Sequence, residues 1–269
     1  MKLFFQTIAA IALVSGPVAS EDLPIFDAHI HYSHDAVELV PPEDVAKILR
    51  DAGVRKALVS SSDDRGTQLL KEAAPDIVVP ALRPYRRRGA IGTWMHDPSV
   101  IDYLNERLAA FDYEAIGEFH AFGDDIQTEV IQTLIALARE RNLILHHHGD
   151  RDALDQIIET WPEARVLWAH SGFAQPEEVA DALRTYPRLW ADLAYRSDMA
   201  SRGGVDEDWQ AVFEEFPDRF MVGTDTFAPE RWYYVERHAE FSRSWLSELP
   251  DDIARKIAYE NAEAMLAAK

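Results

Sequence analysis

The hydrophobic and polar positions of the chain alternate between two kinds of segment. Short, nearly continuous apolar runs cover residues 24–31, 56–61, 77–83, 115–120, 143–148, 165–170, 189–194 and 219–224. Between them, apolar residues recur at helical spacing. Residues 42–52 place Val45, Ile48 and Leu49 on one face, with Gly53 where a helix C-cap belongs. Asp97-Pro98 supplies an N-cap followed by a proline and opens a helix over 99–110. Val130, Ile131, Leu134, Ile135 and Ala138 mark a helix over 126–141, and the pattern continues over 153–161, 176–186, 206–216 and 251–268. Apolar runs that do not alternate are strands buried on both faces, as in a parallel sheet. Eight strands, each followed by a helix or a region that can hold one, predict a single α/β domain over 21–269, a (β/α)8 TIM barrel. A doubly wound open sheet is the alternative, because pattern alone does not show closure.

The first twenty residues read differently. Lys2 is followed by an almost unbroken apolar stretch from Leu3 to Val14, then by Ser15-Gly16-Pro17 and the small residues Val18-Ala19-Ser20. This is the layout of a secretory signal peptide over 1–20, cleaved near Ser20. The stretch is too short for a membrane span, so no transmembrane anchor is expected, and the mature barrel is expected in the periplasm or secreted. No cysteine is present to make a lipoprotein.

Composition narrows the chemistry. The chain has 269 residues with 27 Lys+Arg against 47 Asp+Glu, a formal charge of −20. Binding to extended nucleic acid depends on basic side chains displacing counterions and does not suit this balance. The absence of Cys excludes disulfides, thiolate catalysis and Cys-ligated zinc, so any metal must be held by His and carboxylates. Of the 10 His, seven fall at the C-terminal ends of the proposed strands: His29, His31, His120, His146, His147, His148 and His170. In a barrel that rim carries the active site.

Strand alternation says which of them converge. His29 and His31 share a face and can chelate one cation. Glu118 and His120 share a face at the end of the fourth strand, where a carboxylate after an apolar run calls for a metal or an Arg partner. In His146-His147-His148, an inward His148 brings His146 inward with it and turns only His147 to the helices. That arrangement makes His148 the expected ligand and His146 its partner deeper in the barrel, although a bulge would reverse the parity. His170 ends the sixth strand, and Asp225 follows the eighth, either as a site residue or as a helix N-cap.

Taken in order, His29-Ile30-His31, Gly117-Glu118, one of His147 and His148, His170 in Trp-Ala-His-Ser-Gly and Asp225 in Gly-Thr-Asp resemble the metal-dependent amidohydrolase superfamily. Ile257 to Ala262 resembles the closing helix of its amidohydrolase-2 branch, and the likeness spans roughly residues 24–268. Many members carry a carboxylated lysine on strand four, whereas Glu118 stands here, as in TatD-like nucleases. Glu118 then either bridges two cations or serves a site for one. The resemblance implies His29, His31, Glu118, His148, His170 and Asp225 as metal ligands. Asp225 would also be the proton acceptor, and His170 would be a ligand or would polarise the substrate. Imidazole and carboxylate donors suit Zn²⁺, and also Mn²⁺, Fe²⁺ or Ni²⁺.

The expected substrate is a small molecule recognised by loops that follow the strands. Arg83, Tyr85 and His120 are the candidate contacts. Arg83 and the run Arg86-Arg87-Arg88 point to an anionic group, although such a run is more often a solvated, ion-paired loop. Trp94, His96, Tyr195 and Trp232 are candidates for the pocket wall, and Asp192 for orienting an Arg or a ligand His. The implied reaction is metal-assisted hydrolysis of an amide, ester or lactone. Decarboxylation of an aromatic acid on the same scaffold and a non-catalytic metal-binding role are the alternatives. Self-association into a homo-oligomer is left open.

Overall fold

A computed structural model describes residues 23–200 and 204–268; the expected signal segment lies outside the described residues. Eight parallel strands run β1 (Ile25–His31), β2 (Val54–Ser61), β3 (Val78–Leu82), β4 (Ala115–His120), β5 (Ile144–His148), β6 (Val166–Trp168), β7 (Leu189–Asp192) and β8 (Phe220–Met221), each paired with the next. The segment after β8 returns to β1. Ala28 donates to Val222 O at 2.9 Å, His31 donates to Thr226 O at 2.8 Å, and Ile30 bridges Thr226 in parallel. These bonds close the barrel and set aside the open sheet.

Helices occupy the expected intervals, including Pro42–Asp51, Ser99–Ala110, Glu129–Arg141 and Pro176–Thr185. Two more helices are Arg65–Ala73 and Val235–Leu246. Gly53 adopts φ 68 at the end of the first long helix, as its C-cap position requires. The outer layer between strands and helices forms the larger core. The inner core holds Phe26, Ala28, Leu58, Val79, Ala115, Ile144, Leu167 and Met221, closed from below by Ala262 and Met265 of the last helix. Arg165, buried at the base, donates to Met265 O at 3.0 Å and ties that plug to the start of β6.

Two bulges decide what faces the upper barrel. Phe26 and Ala28 point inward, so strict alternation would turn His29 out. A register shift between Asp27 and Ile30 returns His29 and His31 to the interior. A second shift between Gly117 and Phe119 does the same for Glu118 after inward Ala115. Gly117 sits at φ 131, and a Cβ there would lie 2.2 Å from His146 O, so only glycine lets β4 approach β5 this closely.

Candidate metal centre

The C-terminal rim gathers His29, His31, Glu118, His120, His146, His148, His170 and Asp225 into one cluster with Asp192 beneath it. His29 Nε2 and His31 Nε2 face each other at 3.1 Å. Glu118 Oε2 lies 3.1 Å from His31 Nε2, and Oε1 lies 3.5 Å from His29 Nε2 and 3.6 Å from His170 Nε2. Asp225 Oδ1 lies 3.3 Å from His31 Nε2 and 3.6 Å from His29 Nε2.

The partners behind these rings fix which nitrogen faces the centre. His29 Nδ1 meets Asp192 Oδ2 at 3.1 Å, and His170 Nδ1 donates to Ala194 O at 2.9 Å. A carbonyl can only accept, so the His170 proton resides on Nδ1 and its Nε2 lone pair points inward. His31 Nδ1 contacts Ser60 Oγ at 2.9 Å. Two imidazole nitrogens this close either share a proton or flank a cation. Ligand atoms around a tetrahedral cation with bonds of about 2.1 Å stand roughly 3.4 Å apart, the range found here. The residues therefore fit a divalent metal ion.

The electrostatics agree. Burial disfavours charge on His29, yet the carboxylates of Asp192, Asp225 and Glu118 hold its imidazole well above the usual range. Burial likewise opposes ionisation of Glu118, Asp192 and Asp225, but the surrounding imidazoles, His29 foremost, keep all three below the usual carboxylate range. Three ionised carboxylates in a buried pocket make a site for a cation. Burial pushes His120 down to about 3 and His146 to about 4, so both stay neutral.

β5 follows the expected parity. His148 faces the cluster and contacts Glu118 Oε1 at 2.6 Å, and His146 reaches Asp192 Oδ2 at 3.2 Å. His147 turns outward against Phe119 and donates Nε2–H to Ala121 O. Asp225 is not an N-cap. It sits at φ 46, with its amide bonded to His29 O at 2.7 Å and its carbonyl accepting from Arg231. His170, Phe173 and Tyr195 also have positive φ, so several rim residues are held in backbone conformations that L-residues seldom adopt.

The three expected substrate contacts are placed differently from a free rim. Arg83 is buried, donating to Glu118 Oε2 at 2.6 Å and to Glu118 O at 3.2 Å. Glu118 thus has both partners weighed for it, an Arg and the cluster. Tyr85 is buried, with its hydroxyl accepting from the His120 amide and meeting His120 Nδ1, each at 2.7 Å. His120 itself stacks on His148 with ring centroids 3.9 Å apart. Arg86 pairs with Asp97 and Arg88 with Asp35, the ordinary fate of a charge run. Trp94 and Trp232 are buried and His96 is exposed; of the four candidate wall residues only Tyr195 lies beside a cluster ring.

Sequence reasoning left several contributors unassigned. Ser60 backs His31. Asp27 Oδ1 accepts from the His29 and Thr224 amides, locking β1 to the segment that carries Asp225. Burial raises the Asp27 carboxyl to about 6 against those bonds. Its place two residues before the His pair was the available signal. Phe122, Phe173 and Phe227 stand at the mouth, each within a few residues of a strand end. A cavity of about 250 Å³ lies behind Tyr195 and Arg231, lined also by Leu193, Met199, Val222 and Trp245.

Fold and site together define a TIM-barrel protein with an imidazole–carboxylate cluster at its C-terminal rim. Residues 26–267 match the amidohydrolase family Amidohydro_2, and the chain belongs to that family; it is an amidohydrolase-type enzyme. No curated protein matches it by sequence. Among solved structures it is similar to an uncharacterized TIM-barrel protein from Bordetella bronchiseptica, with 13% identity over 91% of this chain and 99% of that one, at TM-score 0.62. It is also similar to a candidate 2-pyrone-4,6-dicarboxylic acid hydrolase from Pseudomonas putida (13% identity, 91% and 98% covered, TM-score 0.58). A TatD family hydrolase from Entamoeba histolytica compares at 12% identity, 90% and 97% covered, TM-score 0.58. At these identities the likeness is one of fold. Among the described residues, no helix is long and apolar enough to cross a membrane.

Proposed function

We propose that the protein is a metal-dependent hydrolase of a small amide, ester or lactone. The observation that carries this reading is two ligand triads that share His29, namely His29–His31–Asp225 and His29–Glu118–His170, with contacts of 3.1–3.6 Å between neighbouring ligand atoms. These residues would hold the cation, with Zn²⁺ the best match to the donor set and Mn²⁺, Fe²⁺ or Ni²⁺ also suited to it. Glu118, His120 and His148 form an adjoining triad that would hold a second ion if Glu118 bridges. A bound cation supplies Lewis acidity and lowers the pKa of water to near neutrality.

The chain's own residues supply the rest. Asp225 is kept ionised by His29 and His31 and stands at the open side of the cluster. A carboxylate in that state takes a proton from attacking water and returns it to the leaving group. Its backbone, pinned by His29 O and Arg231, holds the carboxylate in place during transfer. Asp192 and Ser60 orient the imidazoles, so their lone pairs need no reorganisation on binding.

The test is a hydrolysis screen of aryl esters, lactones and amides with metal-loaded and chelator-stripped protein. The reading requires turnover that disappears on stripping and returns on reloading. Release of CO₂ from an aromatic acid without any hydrolysis would contradict it.

A further inference from the structure

We propose, building on the hydrolase reading, that the substrate is neutral and carries a planar ring, as in an aryl ester, an aryl lactone or an anilide without an acidic substituent. The mouth of the barrel is aromatic. Loops after β4, β6, β7 and β8 each project one ring, namely Phe122, Phe173, Tyr195 and Phe227, exposed by 47%, 54%, 47% and 49%. Large apolar side chains left half open on four loops around one rim are unusual unless something covers them.

Their placement ties three of them to the cluster, and Arg231 links Phe227 to Tyr195. Phe173 stacks on His170 with centroids 4.6 Å apart and lies 6.0 Å from His148. Phe122 is 6.0 Å from His148, and Tyr195 is 6.0 Å from His170. A planar group whose carbonyl reaches the centre meets aromatic faces and edges on several sides, the contact geometry such rings favour. Phe173 and Tyr195 hold φ values of 51 and 58, conformations in which bulky residues are rare. The fold keeps both rings at the mouth despite that cost.

The charges point the same way. An anionic substituent would enter beside the carboxylates of Glu118 and Asp225. The guanidinium groups that could receive it are engaged: Arg83 on Glu118, and Arg196 on Asp198 and His170 O. Arg231 spends Nε and Nη2 on the carbonyls of Asp225 and Thr224, and its plane lies over Tyr195 and Phe227. It therefore extends the ring platform and braces the Asp225 segment. Of the arginines that suggested an anionic substrate, Arg83, Arg86 and Arg88 are paired with Glu118, Asp97 and Asp35, and Arg87 is exposed in the loop.

Calorimetry with three hydroxamates on zinc-loaded full-length protein tests this, since each presents the same chelating head. Benzohydroxamic acid should bind about tenfold tighter than acetohydroxamic acid, and 4-carboxybenzohydroxamic acid weaker than the unsubstituted ring compound. Phe173→Ala should bring the benzo-to-aceto ratio down toward one, and Phe122→Ala serves as a second variant should the first misfold. Equal binding of the benzo and aceto compounds, or tighter binding of the carboxylated ring, overturns the proposal while leaving the hydrolase reading intact. Zinc content is measured on the same samples; protein that takes up no zinc overturns both.

Discussion

Asp192 Oδ2 lies 3.1 Å from His29 Nδ1 at the floor of the cluster, with both side chains fully buried. The same oxygen meets His146 Nε2 at 3.2 Å, and Oδ1 accepts from the amides of His170 and Ala194. One carboxylate thus sets the tautomer of a central imidazole and the backbone of a second. Asp192→Asn keeps the volume but removes the charge that favours a proton on His29 Nδ1. We expect metal affinity to fall by about 10–100-fold with the fold intact. Chelator competition measures it, and circular dichroism checks the fold.

Asp225 carries the proposed proton transfer. Asp225→Asn should reduce kcat by about 10²–10⁴-fold with the fold intact, because the backbone bonds of residue 225 do not use its carboxylate. Near-normal turnover in a substrate assay would remove Asp225 from the mechanism.

Gly117 admits no side chain. At φ 131, with a virtual Cβ 2.2 Å from His146 O, Gly117→Ala should destabilise the barrel by about 2–4 kcal/mol and displace Glu118. Thermal denaturation and metal content of this variant should fall together.

Much of this was readable from residue order. Strands and helices follow from apolar spacing, and the outward turn of His147 follows from alternation on β5. Alternation carried the reading no further on β1 and β4, where bulges at Asp27–Ile30 and Gly117–Phe119 set the parity. Such bulges depend on pairing with the neighbouring strand, which one segment's sequence does not contain. The Arg83–Glu118 pair was equally hidden. Both residues were visible as strand-end charges, but their contact joins positions 35 apart in sequence. The aromatic mouth was half seen. Tyr195 stood among the candidate wall residues, whereas Phe122, Phe173 and Phe227 carry no signal in the sequence until closure of the barrel brings four loops to one rim.

We propose, from the apolar stretch after Lys2, that the protein is exported. Expressed with its full sequence in a Gram-negative host, the protein should appear in the periplasmic fraction with an N-terminus near Glu21, read by intact-mass spectrometry. Full-length protein retained in the cytosol would contradict that expectation.

The metal content of the purified protein bears most directly on the cluster. After zinc loading and exhaustive desalting, inductively coupled plasma mass spectrometry should find about one ion per chain, or about two if Glu118 bridges. The double variant His29→Ala/His31→Ala, still folded by circular dichroism, should retain less than about a tenth of that. Folded wild-type protein that holds no stoichiometric divalent metal, or a double variant that binds as much as wild type, would contradict a metal centre built on His29 and His31.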